Sequence, residues 1–317
     1  MEPSRLPYTL PSDAVWFITG CSSGIGKSLA ELVVAKGQRL VATARKLEDL
    51  AYLPDNPPNS SILKLRVDVA SKQSVDDAVA AALAHFARLD VVVNNAGYSL
   101  RGDTENAPEE AARHQLETMF WGTVRLTRHA MRIMREVNPA APGGQQGGVV
   151  VNVSSMGGRA AFPGNAFYHA AKFAVEGFTE SVAREVRPEW NIHFCLVEPG
   201  GVRTGFTGHR MQRIEVHPAY AAPDTPSRLL DKYIDDPEAS KNFADVDDVT
   251  KAMYSIVASG KEIPLRVPIG PDAWGVLKIE NEKNGKALDE WKDFAISAGK
   301  AGQFESLDFM TGRESRN

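Results

Sequence analysis

The chain has 317 residues, 43 % hydrophobic and 24 % charged, with a formal net charge of −4. That is an ordinary globular balance, without the basic surplus that would draw a protein to nucleic acid or to an anionic membrane. Two cysteines, Cys21 and Cys195, exclude a disulfide framework; with no apolar run near the ~18 residues of a membrane span and no secretory signal at the start, the expectation is a cytoplasmic protein.

The first run, VWFIT (15–19), is apolar throughout, as a strand buried on both faces must be. TGCSSGIG follows directly, then helical spacing at Ile25, Leu29, Leu32 and Val33 that stops at Gly37. RLVATA (39–44), SILKLRVDV (61–69) and DVVVNNAG (90–97) read as further strands. Between the last two, SVDDAVAAALAHFARL reads as a helix opened by Ser74, with Asp77 three residues on as in a capping box. A long helical stretch runs from about Pro108 to Val137, and the Pro/Gly run NPAAPGGQQGG (138–148) separates it from the strand VVVNVSS. A helix over 166–187 and the strand NIHFCLVEP come next.

Beyond Gly205 the pattern changes. Residues 206–244 mix Pro, His, Arg and isolated aromatics without clean periodicity and read as a lid. VDDVTKAMYSIVASG restores a helix, PLRVPIG (264–270) is one more strand, and the tail from Trp274 is helical and highly charged. Strand and helix in alternation predict an α/β fold, a doubly wound, mostly seven-stranded parallel sheet of the Rossmann type. One domain spans 12–317, with the lid at 206–244 and a C-terminal helical extension at 271–317.

The glycines of TGCSSGIG sit between a first strand and a first helix, where they let the backbone approach a pyrophosphate while the helix offers its free N–H groups. Gly20, Ser22, Ser23, Gly24, Ile25 and Gly26 are the candidate cradle, although glycine also marks ordinary turns. An NAD site usually places an acid at the end of the second strand. Here ATARK puts Ala44 there, followed by Arg45 and Lys46. A carboxylate repels a 2′-phosphate and a guanidinium binds one bidentately, so this stretch favours NADP. Asp68 and Val69, at the end of the third strand, are placed to flank an adenine ring.

FYHAAKF (167–173) puts Tyr168 and Lys172 one helical turn apart. The preceding strand ends in Ser154 and Ser155, so strand end and helix start meet where ligands sit in such sheets. TGCSSGIG, NNAG (94–97), a serine ahead of YHAAK, and PGGVRT (199–204), in this order, resemble the short-chain dehydrogenase/reductase family, in its hydroxysteroid and retinol dehydrogenase branch. The resemblance covers roughly 12–205 and implies specific roles. Tyr168 is the general acid/base, and Lys172 lowers its pKa from the ordinary ~10 and holds the nicotinamide ribose. Ser155, in preference to Ser154, orients the substrate oxygen. Asn95, Ala96 and Gly97 border the adenosine ribose, with Asn94 mainly supporting the sheet. Pro199, Gly200, Val202 and Thr204 close over the nicotinamide. The family also implies a homodimer or homotetramer through the two long helices.

One position departs from the family. Counting back three from Gly122 in LETMFWGTV gives Met119 where the family often has an asparagine that holds a proton-relay water. Either another group holds that water, or the relay is rerouted, or turnover is slow. The expected reaction is NADP(H)-dependent interconversion of a hydrophobic ketone and a secondary alcohol. Met156, Phe162, Phe206, Met211 and Tyr220 are candidates to enclose the substrate, and His209 and Arg210 to meet a polar group on it. The alternatives are a non-redox isomerase or lyase using Tyr168, or a nucleotide-binding regulator that has lost turnover.

Overall fold

Each strand of the central sheet shares its side chains between two apolar layers, which is why the strand sequences read as unbroken hydrophobic runs. In β1 (Val15–Ile18), Trp16 and Ile18 enter one layer while Val15 and Phe17 enter the other. The structure, a computed structural model, describes residues 7–54, 61–205, 211–300 and 302–307. After β1 the chain forms α1 (Gly24–Ala35), β2 (Arg39–Ala44), β3 (Ile62–Arg66), α2 (Lys72–Phe86) and β4 (Val91–Asn94). A two-residue strand β5 (Leu100–Arg101) precedes α3 (Glu109–Leu116) and α4 (Gly122–Arg132). Then come β6 (Gly148–Val153), α5 (Ala166–Glu185) and β7 (Ile192–Pro199). The last third holds β8 (Gln212–Arg213), α6 (Pro226–Asp235), α7 (Pro237–Ser240), α8 (Val246–Ala258), β9 (Arg266–Ile269), α9 (Pro271–Glu290) and α10 (Lys292–Ser297).

Seven strands make one parallel sheet in the order β3-β2-β1-β4-β6-β7-β9. Trp16 pairs with Leu40 on one side and Val91 on the other, so the strand order reverses beside β1. That reversal opens the crevice in which such sheets bind ligands. Leu29 and Val33 of α1 and Val249 and Met253 of α8 cover one face; Val79 of α2, Leu126 of α4 and Val182 of α5 cover the other. Phe17, 1 % exposed, sits in the second layer, where truncation to alanine costs about 3–5 kcal/mol.

The fold expected from the sequence is the one observed, with local differences. Helix α2 starts three residues early because Ser71, not Ser74, caps it, accepting from the Ser74 N–H at 3.3 Å. The Ser74 hydroxyl instead accepts from the Asp68 N–H at 3.0 Å. The long helix is continuous over 109–137 but widens into π turns at Glu117–Trp121 and Ile133–Val137. The region read as an aperiodic lid contains α6 and α7, and β8 pairs with β5 as a small second sheet. Helix α9 is anchored by buried Ala273 and Leu277, and beyond them the extension is largely exposed.

Candidate active site

The cleft opens at the carboxyl ends of β1 and β4. Gly20 leaves β1 with φ +73, a region that favours glycine, and a Cβ there would stand 2.9 Å from the Ala96 Cα. Gly26 is small for a different reason: a Cβ would meet the Gly20 carbonyl oxygen at 2.3 Å, so its absence lets α1 pack down on the loop. Asn95 pins the loop from the next strand, its Nδ2 donating to the Thr19 and Gly20 carbonyls at 2.9 and 3.3 Å. The Thr19 hydroxyl in turn accepts from the N–H groups of Asn95 and Ala96. Ser23, the N-cap residue of α1, makes no side-chain capping bond, and the helix has no acid in its first turn. Its N–H donors and positive dipole end are therefore available to an anion.

A cavity of about 520 Å³ runs from this loop across the sheet ends. On the side of β2 and β3 it is bordered by Arg45, Asp68 and Val69; on the side of β6 and β7, by Ser155, Tyr168, Lys172, Pro199, Gly200, Val202 and Thr204. Ser22, Ser23, Gly24, Ile25, Asn95, Ala96 and Gly97 line the stretch between. Arg45 is exposed and has no hydrogen-bond or ion-pair partner among the described residues. Its charge is near enough to the Tyr98 phenol to oppose the upward push that burial gives that hydroxyl. Uncapped N–H groups, a cradle that a Cβ would fill and a free guanidinium fit the phosphates of a dinucleotide.

The other end holds the chemistry. The Ser155 hydroxyl accepts from the Gly157 N–H at 3.0 Å and donates toward the Pro199 carbonyl at 3.4 Å. Tyr168 is half-buried, and its phenol lies against the Ser155 hydroxyl. Lys172, one turn along α5 and 8 % exposed, donates to the Val153 carbonyl at 2.6 Å, its ammonium 5.8 Å from the Tyr168 ring centroid. Burial pushes that ammonium down to about 8, with Glu176 pulling the other way. Burial also pushes the Tyr168 hydroxyl up, opposed by the Ser155 bond. The expected lowering of Tyr168 by Lys172 is therefore not a property of the protein alone: burial pushes the phenol up, and the ammonium is turned onto a backbone carbonyl.

A family model described as short chain dehydrogenase matches residues 14–215. This chain belongs to the short-chain dehydrogenase family. It is 46 % identical over 272 residues to Oxidoreductase calM of Penicillium decumbens, covering 84 % of this chain and 87 % of that one. Retinol dehydrogenase 8 of Homo sapiens is 34 % identical over 260 residues, covering 78 % of this chain and 79 % of its own. Among solved structures, a short-chain dehydrogenase from Streptomyces avermitilis has a TM-score of 0.78 at 32 % identity, covering 90 % of this chain and 100 % of that one. As a member of the family, the protein is an oxidoreductase.

The residues of this dehydrogenase that the sequence singled out sit in different surroundings. Gly26 does not border the cavity; it serves the contact between helix and loop. Asn94 is in the core, its Nδ2 donating to Asn152 Oδ1 at 2.8 Å and Thr127 Oγ1 at 3.2 Å. Met119 packs beneath Gly97, and its carbonyl accepts from the Thr123 hydroxyl at 2.8 Å. Met156, Phe162 and Met211 line the cavity, whereas Tyr220 lies outside it, against His217 and Glu105. Phe206, His209 and Arg210 fall outside the described residues.

Other lining residues escaped the sequence reading. Leu230, Tyr233 and Ile234 of α6 face the cavity, and their i, i+3, i+4 spacing was the available signal. Asp272, whose Oδ2 accepts from the Gly201 N–H at 2.6 Å, closes over the PGG turn. His169 is a strut between two site loops: its Nδ1 pairs with the Gly157 carbonyl at 2.7 Å and its Nε2 accepts from the Phe162 N–H at 2.9 Å. Burial lowers its pKa, which keeps the ring neutral and able to do both.

Proposed function

We propose that this short-chain dehydrogenase reduces hydrophobic ketones, or oxidises the matching secondary alcohols, with NADP(H), and that Tyr168 is its general acid/base. The observation that carries the reading is a half-buried Tyr168 beside Ser155, with the buried Lys172 a turn away, in the same cavity that the start of α1 and the free Arg45 border. When bound, the reduced nicotinamide supplies a hydride to the carbonyl carbon. Tyr168 gives its proton to the carbonyl oxygen, which Ser155 holds by a second hydrogen bond. Lys172 stabilises the phenolate left behind. Arg45, with no acid at Ala44 beside it, favours the 2′-phosphate of NADP over the bare ribose of NAD. The apolar walls from Met156, Phe162, Met211, Leu230 and Phe243 favour an apolar substrate body and exclude water.

The same reading places the enzyme in the cytosol, where the buried free thiols Cys21 and Cys195 stay reduced. Among the described residues no helix is long and apolar enough to cross a membrane. It also makes the exposed Trp121 and Phe173, on the two long helices, the centre of a homodimer face. The test is the loss of reduced-nicotinamide absorbance with a panel of hydrophobic ketones, NADPH against NADH. Consumption with NADPH supports the reading; none with any ketone, despite tight cofactor binding, overturns it.

A further inference from the structure

The C-terminal extension, expected from the sequence to be a charged helical tail, reaches the cavity at its base. Asp272 and Val276, one turn apart at the start of α9, both border it. The chain enters this helix through Gly270 at φ +108, a region that favours glycine, and a Cβ there would stand 2.6 Å from Asp272 Oδ1. Pro271 then fixes the first helical position. This entry sets the Asp272 carboxylate against the PGG turn at the end of β7. Its Oδ2 accepts from the Gly201 N–H at 2.6 Å, and a Cβ at Gly200 would lie 2.1 Å from each carboxylate oxygen. Gly200 is glycine to leave room for an acid from another element.

The turn is gripped from two sides. Towards β9, the Gly200 N–H donates to the Ile269 carbonyl at 3.1 Å. Away from it, the Gly201 carbonyl accepts from the Ala244 N–H at 2.8 Å, the Arg203 N–H donates to the Ala244 carbonyl at 3.0 Å, and a Cβ at Gly201 would meet the Phe243 ring at 2.7 Å. Asp272 adds a charged acceptor to this backbone set, and charge-assisted bonds are stronger than the neutral ones around them. The carboxylate is not needed to hold its own helix. Buried Ala273 and Leu277 anchor α9, and Arg159 Nη2 donates to Asn281 Oδ1 at 2.9 Å. Nor is it engaged elsewhere: among the described residues Asp272 makes no ion pair and no second hydrogen bond. Its charge, favoured in the first turn of a helix, is directed at the Gly201 N–H.

We propose that Asp272 is a positioning residue for the cofactor: it sets the PGG turn in the shape that covers the nicotinamide, and it makes the base of the extension part of the active site. The inference rests on the reading that the cavity takes a nicotinamide cofactor, with 199–204 over its nicotinamide half. Releasing Gly201 leaves the turn tied at Ile269 and Ala244 and loosens the stretch between them. That disturbs the nicotinamide end alone, because the opposite end is bordered by Arg45, Asp68 and Asn95 on other elements. Through Asn281 the same helix also touches Arg159, which follows the Ser155 turn.

The test compares two ligands by fluorescence titration: NADPH, and adenosine 2′,5′-bisphosphate, which has the adenosine half and no nicotinamide. Asp272 is exposed, so truncating it empties no core. For Asp272→Ala we expect NADPH affinity to fall about tenfold, with the bisphosphate within about twofold of the parent. Asp272→Asn keeps an oxygen for the Gly201 N–H and should recover most of the loss. In the ligand-free protein, amide exchange at 200–204 should quicken in Asp272→Ala while β6 and β7 keep the parent's protection. Equal weakening of both ligands, or faster exchange throughout the chain, makes Asp272 a support of the whole fold and overturns the proposal; so does an unchanged NADPH affinity. A parent that prefers NADH is put through the same comparison with NADH and 5′-AMP, which separates an error about the 2′-phosphate from an error about Asp272. A parent that binds neither dinucleotide refutes the cofactor reading and the positioning role with it, leaving only the grip on the turn that exchange reports.

Discussion

The two sides of the cavity are held by different physics. On the nucleotide side the fixing contacts are between neutral groups: Asn94 to Asn152 at 2.8 Å, Asn152 to Thr179 at 2.8 Å, and Asn95 to the glycine loop. On the lid side they are charged. Buried Arg101 pairs with Asp231, and buried Asp103 takes Arg228 at 3.1 Å, the Ser227 hydroxyl at 2.8 Å and the His217 N–H at 3.2 Å. Neutral ladders are indifferent to salt and pH and fix geometry. An ionic clamp holds a segment that has few apolar contacts of its own, and it allows that segment to be replaced or opened. On the proposed reading, the neutral side fixes one shape for the cofactor, and the segment held by charge is the part free to differ with the substrate.

The largest test of that division is Tyr168→Phe, which removes one oxygen from the fixed side. We expect turnover to fall by roughly 10³-fold, while NADPH affinity, read by fluorescence titration, stays within about twofold of the parent. Next is Arg45→Glu, which sets a carboxylate against a 2′-phosphate. Loss of one charge-assisted pair and gain of a repulsion should weaken NADPH by about 10²-fold and leave NADH nearly unchanged. Equal weakening of both cofactors would mean that Arg45 supports the loop and does not read the phosphate.

This contrast also explains what was legible in the sequence. Sheet strands buried on both faces and the i, i+4 pairing of Tyr168 and Lys172 are local patterns, and the chain states them within a few residues. The clamp is not local. Arg101 and Asp231 are 130 residues apart, and neither has a neighbourhood that distinguishes it from a solvated surface charge. Gly26 is ambiguous in the sequence because a glycine needed for packing and one needed for a ligand are identical as letters. The acidity of Tyr168 is not local either, because burial and the direction of the Lys172 ammonium are decided by Val153 and by the fold around them. The start of α2 was misplaced because Ser71 and Ser74 both satisfy a cap pattern, and tertiary contacts awarded Ser74 to Asp68.

Asp103→Asn weakens the clamp without emptying its site. Arg228 and the other donors keep an oxygen, but the charge is gone. The lid should loosen, raising KM for a bulky ketone about tenfold while cofactor affinity and kcat at saturation change little. High salt should reduce the parent's advantage over the variant. A KM unaffected by both the substitution and salt would show that α6 is held by its apolar face, through Leu230 and Ile234, and that the charges are incidental.

The smallest effect separates the two kinds of buried polar contact by pH. Glu198 has its pKa raised by burial to about 7, so the folded chain holds this proton more tightly than the unfolded chain, whose glutamate titrates near ~4.3. Its stabilising share is therefore full below about pH 4 and is lost as pH rises toward 7. Glu198→Gln removes that loss, so its melting temperature should decline less than the parent's between pH 5 and pH 8, by roughly 1–3 °C. Asn152→Ala strips a neutral rung that cannot titrate and should lower the melting temperature by a similar amount at every pH in that range. If both variants tracked the parent's slope, Glu198 would be ionised in the folded state throughout, its charge balanced by Arg159 and Arg266 at 3.7 and 3.9 Å.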